Sequence, residues 1–125
     1  MKCFLLGMLG TLLILVAAAV IIPQYSDYTA RVQTEEWLFL VKPILADIEK
    51  NAIQQNSLMN AGRNVNKEAL QNANVNLLEI TETGVLILSG GRKGQVLILI
   101  PSLNAEQVTW RCIGGPAWIA PSGCR

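Results

Sequence analysis

The sequence predicts an α+β fold, in which one long N-terminal helix, membrane-spanning in its first half, packs through its second half on an antiparallel sheet of about four strands. Three observations predict it. An uncharged apolar run fills Phe4–Ile22, helical periodicity follows to about Gln55, and from Asn76 short runs of Val, Ile and Leu alternate with turn residues. The corresponding divisions are a transmembrane helix over 1–23, its amphipathic continuation over 24–55, a loop over 56–75, and the sheet with a disulfide-bounded loop over 76–125.

The first run, FLLGMLGTLLILVAAAVII, has Gly7, Gly10 and Thr11 as its least apolar members. Its length of about 19 residues makes a helix of roughly 29 Å, which matches the hydrocarbon core of a bilayer. A retained span is the preferred reading. A cleaved secretory signal is the alternative, but Ile21, Ile22, Pro23, Gln24 and Tyr25 follow the run where small residues would mark a cleavage site. Lys2 and the terminal amine precede the span and Asp27 comes before Arg31 beyond it, so the N-terminus faces the cytoplasm and the body is exported. Tyr25 and Tyr28 fall where aromatic side chains mark the membrane–water interface.

Composition narrows the function. The chain has 125 residues, a net charge of +1 and no histidine. After the span, about 100 residues remain, enough for one modest domain. A near-neutral chain has no general attraction to nucleic acid or acidic lipid, so such binding would need a local patch. The missing histidine removes the commonest general base and metal ligand, which argues against an enzyme. No cofactor is implied. Cys3 stands at the mouth of the span, as a small apolar residue or a lipidation site. Cys112 and Cys124 read as a pair, most simply a disulfide in an oxidising compartment. A metal site is the alternative, and it would need more than two thiolates.

Past the span, Val32, Trp37, Leu38, Val41, Ile44, Leu45, Ile48 and Ala52 recur three and four apart, forming a stripe that would cover a sheet. Pro23 and Pro43 should each bend the helix. The asparagine-rich NSLMNAGRNVNKEALQNANVN reads as a long loop with a helical turn at Asn66–Gln71. Strands are expected at Asn76–Thr83, Gly84–Ser89, Gln95–Ile100 and Gln107–Cys112, with turns at Gly90, Gly91 and Gly94 and at Ser102–Asn104. Their short spacing favours antiparallel pairing. The continuously apolar VLIL and VLILI suggest burial on both faces, one under the helix and the other against neighbouring copies. In the tail, CIGGPAWIAPSGCR, a bridge would hold the loop to the sheet, with Trp118 and Ile119 buried beneath it or, alternatively, exposed as a contact.

An apolar helix ending in IPQYSDYTARVQ, then GVLIL and VLILIPSL, then VTWRC closing with PSGCR, together resemble the type IV pilins over essentially the whole chain. The resemblance implies a lollipop shape and assembly into envelope filaments used for attachment, twitching motility and DNA uptake. It implies partnership with other pilin-like subunits, as a homo- or hetero-oligomer, through an assembly helix that carries Phe4, Gly7, Gly10, Thr11, Leu15, Pro23 and Tyr25. The implied locations are the bacterial inner membrane, with the C-terminal domain exported, or an extracellular pilus.

The chain also departs from that pattern. Counting back from Pro23 puts the family's processed N-terminus at Lys2, its leader glycine at Met1 and its intramembrane acidic residue at Leu6. A carboxylate there would pair with a neighbour's terminal amine, and Leu6 cannot. The family's helix-loosening glycine falls at Leu15, so this helix should resist melting. Three explanations stay open: a minor or tip subunit, a membrane-retained assembly accessory, and a coding start that leaves out a leader.

Two functional classes remain beside the rejected enzyme. The first is a structural pilus component for adhesion or motility. The second is a binding module in which Arg92, Lys93, Arg111 and Arg125 form a basic contact for DNA or a host surface. GGRKG reads as a hairpin turn and not a phosphate loop, because no helix and no Lys-Ser/Thr follow it.

Overall fold

The computed structural model describes residues 1–19 and 25–125. Helix α1 spans Lys2–Leu40 and helix α2 spans Lys42–Gln55, with Val41 between them. The bend expected at Pro43 takes the form of this break. Pro43 lies in the first turn of α2, where a missing N–H costs nothing, whereas in a continuous helix it would leave a carbonyl unpaired. Pro23, the other expected bend, lies outside the described residues.

The buried line on the helices is Ala30, Thr34, Trp37, Val41, Ile44, Ile48 and Ala52, at the expected helical spacing. It corrects the sequence reading at one end, because Val32 is exposed and the line is carried there by Ala30 and Thr34. Small residues at these two positions let a hairpin of the sheet come close to α1. Leu38 and Leu45 flank the core, half-buried.

Between α2 and the sheet, the asparagines explain the path of the chain. Asn56, Asn60 and Asn64 have φ of 51°, 64° and 58°. Among residues with a Cβ, asparagine tolerates this left-handed conformation best. The segment is tied down: Asn51 Nδ2 donates to the carbonyls of Ala61 (3.0 Å) and Arg63 (3.3 Å), and the Gly62 N–H donates to Glu82 O (3.0 Å). Ala61 and Leu70 enter the core, the latter from a single helical turn at Glu68–Leu70, inside the expected range.

The sheet has four antiparallel strands in the order of the chain: β1 (Val75–Ile80), β2 (Leu86–Gly90), β3 (Gln95–Asn104) and β4 (Gln107–Gly115). The turn expected at Ser102–Asn104 is instead the end of β3, which pairs Ser102 with Thr109 and Asn104 with Gln107. The reversal is made by Ala105 and Glu106, both at positive φ, the geometry that matches strand twist in a two-residue hairpin. Pro101 is accommodated because β2 pairs with β3 only as far as Leu99, leaving β3 an edge on that side.

Alternation sorts the strands into two faces. Leu86, Leu88, Leu97 and Leu99 point inward and are buried against Trp37, Ile44 and Ile48, each such side chain contributing roughly 1.5–3 kcal/mol. Ile87, Val96, Ile98 and Ile100 take the intervening positions and are only half-buried. Within the chain, burial is thus complete on one side, the face expected to lie under the helix. Both helices, Ala61, Leu70, Ala120 and Cys124 all join the inner core.

Candidate functional site

The most distinctive surface is the first half of α1. Over Lys2–Ala19 its mean hydropathy is 2.1 and none of the window is buried, which makes it long and apolar enough to cross a membrane. Phe4 and Leu15 are 75% and 62% exposed. A Cβ placed on Gly7 or Gly10 would meet nothing within 4 Å, so both leave open notches on the helix surface. The Thr11 hydroxyl donates to Gly7 O (2.9 Å), which satisfies it without a partner helix. Tyr25 is exposed, and Pro23 lies outside the described residues. The exposed apolar character continues beyond this half through Tyr28, Val32, Phe39 and Ile53, on the side of the helices away from the sheet.

The second half of the helical unit is fastened to the sheet by polar links that its apolar stripe does not reveal. Gln95 is wholly buried where β3 begins. Its Nε2 donates to Ala30 O (3.1 Å), while its Oε1 accepts from the Lys93 N–H (2.8 Å). The Arg92 N–H donates to Gln33 Oε1 (3.3 Å), and Lys93 Nζ lies 3.8 Å from Asp27 Oδ1. Farther along, Trp110 Nε1 donates to Glu49 Oε1 (2.7 Å), joining β4 to α2. Arg31 Nε donates to Trp118 O (2.6 Å), joining the C-terminal loop to α1.

That loop is closed by a Cys112–Cys124 disulfide, with Cα atoms 4.6 Å apart. Gly114 sits beneath it. An added Cβ there would come within 2.8 Å of Ala120 Cβ and 3.2 Å of Cys124 Cβ, so the loop packs directly on the β4 backbone. Ile119 is buried as expected, but Trp118 is 60% exposed. With Ile119 inward and the Trp118 carbonyl held by Arg31, the indole is left in solvent. Cys3 is a free, exposed thiol.

The four basic residues occupy three places. Arg92 and Lys93 form the tip of the β2–β3 hairpin, Arg111 stands on β4, and Arg125 folds back so that its Nε donates to Ala120 O (3.1 Å).

No protein-family model matches the chain, and no curated protein matches it.

Sequence reading missed Gln95, Arg31 and Glu49. Gln95 left a usable signal, since it shares strand parity with Leu97 and Leu99 and so had to face the core. Arg31 and Glu49 left none, because an exposed charge on a helix gives no hint of which distant carbonyl or indole it meets.

Proposed function

We propose that this chain is a type IV pilin-like subunit whose N-terminal helix anchors it in the membrane and packs against neighbouring subunits, with the sheet domain carried outside. One observation carries the reading: α1 is divided into an apolar half that, among the described residues, nothing covers and a half that is the inner wall of a folded domain. An apolar surface of that size in water needs lipid or partner helices around it. The exposed Tyr28, Val32, Phe39 and Ile53 extend the same kind of surface along the domain, which supports a helix-packing role in addition to simple anchoring. The disulfide supports an exported domain.

The test is to measure intact mass in sheared surface filaments and, separately, in washed membranes of the native cell. Recovery from filaments, with the bridge intact, is the expected outcome for a subunit. Recovery from membranes alone would sink the filament role and leave a membrane-retained accessory.

A further inference from the structure

The outer face of the sheet has no role in the reading above. Strand register places Glu79, Ile87, Ile98 and Ile113 in one row across all four strands. The adjacent row carries Leu77 and Val96, and on the other side Ile100 pairs with Arg111. Leu77 and Ile113 are 49% and 42% exposed, although both are large and aliphatic. None of these side chains belongs to the core. Among the described residues, the helices and both long loops attach to the opposite face, so no second layer covers this one.

Charge on the face is confined to its two margins. Glu79 lies on β1 and Arg111 on β4, both exposed, and neither is in an ion pair among the described residues. An apolar centre with an acid on one edge and a base on the other is complementary to itself. A twofold axis parallel to the strands, passing between β2 and β3, turns the face over onto a copy, so that β1 lies across β4 and β2 across β3. Ile87 and Ile98 then meet their counterparts. Each Glu79 faces the partner's β4 near Ile113, one step along the same face from Arg111, within reach of a long guanidinium side chain across sheets stacked about 10 Å apart. Both ion pairs form at once, as an isologous contact requires.

We propose that this face is the contact between two copies of the chain. It stands apart from helix packing, because it uses neither α1 nor the membrane. Flat rows of β-branched residues suit sheet-on-sheet stacking, and the marginal charges fix which way round the copies sit.

The test is the mass of the full-length, disulfide-intact protein in detergent micelles, measured by sedimentation across a range of concentrations. A reversible dimer is expected. Ile113→Lys should raise its dissociation constant at least about tenfold, and Glu79→Arg or Arg111→Glu should each weaken it by about as much. Combining the two reversals should restore it to within about threefold, because the pairs re-form with exchanged signs. All three positions are exposed, and unchanged circular dichroism would show that the variants fold. A single copy at every concentration overturns the proposal and leaves the face to a different partner. So does a dimer indifferent to these substitutions, which places the contact on the helix. A dimer that the charge exchange fails to restore overturns the twofold arrangement.

Discussion

The two halves of α1 share one continuous helix and differ in almost every other respect. Over Lys2–Ala19 the helix is apolar behind its first residue and none of it is buried, whereas from Ala30 onward one line of residues is buried and the rest are half-buried or exposed. A helix apolar all round has no preferred inner face and takes its environment from lipid or from other helices. A helix with one apolar stripe has its partner specified, and here that partner is the inner face of the sheet. The lesson is that hydrophobicity alone does not say what a helix is for. Its angular distribution does.

Truncating one large side chain in each half should separate the two by the largest margin. Trp37→Ala removes the largest buried side chain of the core and should cost the folded domain about 3–5 kcal/mol. Leu9→Ala, at a position 57% exposed, should leave domain stability unchanged. Chemical denaturation followed by far-UV circular dichroism would read both. Comparable losses from the two variants would mean that the apolar half is packed within the chain after all.

Next in size is the covalent link. Replacing Cys112 and Cys124 by Ser opens a loop of sequence separation 12 and should cost roughly 3 kcal/mol on the chain-entropy estimate. The loss should be local as well as global. Amide exchange at Ile119 and Ala120 should accelerate by more than exchange at Leu88 or Leu97, since the loop then keeps the Arg31–Trp118 bond and the burial of Ile119 and Ala120 but no covalent tie to β4.

A third variant separates the polar fastening from the apolar one. Gln95→Ala takes the acceptor from the Lys93 N–H and removes the donor to Ala30 O, at a wholly buried side chain, for a cost of about 1–3 kcal/mol. Gln95→Leu should recover part of the loss by refilling the volume. It should still leave the hairpin tip mobile, which faster exchange at Lys93 would reveal. Equal stability of wild type and Gln95→Ala would show that small residues at Ala30 and Thr34 suffice to seat the hairpin.

How much of this was legible in the sequence depends on the kind of signal. Periodicity located the helical region, the four strands and most of the helix stripe, because burial imposes a spacing that survives in the residue string. The reversal after β3 was not legible. Ser102 and Asn104 are stronger turn formers than Ala105 and Glu106, and only the pairing of β3 with β4 overrides that preference. Val32 failed for a related reason, since apolar character cannot tell an inner position from an outward one that belongs to a second apolar surface. The disulfide could be read from Cys112 and Cys124 together with the expectation of an exported domain. The links made by Arg31, Glu49 and Gln95 join residues 61 to 87 apart and depend on the finished fold.

The smallest expected effect concerns the segment between α2 and β1. Its side-chain ion pair, Arg63 to Glu82 at 2.8 Å, is 57% and 70% exposed at its two side chains. Solvent and salt screen such a pair, and ordering two long side chains offsets part of what remains, so Arg63→Ala should cost only a few tenths of a kcal/mol. The backbone beside it is held differently. Asn51 Nδ2 bonds to the carbonyls of Ala61 and Arg63, and the Gly62 N–H bonds to Glu82 O, none of which needs the guanidinium. Asn51→Ala should therefore cost several times more than Arg63→Ala, about 1 kcal/mol, and unlike it should be insensitive to salt. Reversal of that order would mean the exposed ion pair, and not the half-buried amide, joins this segment to the helix.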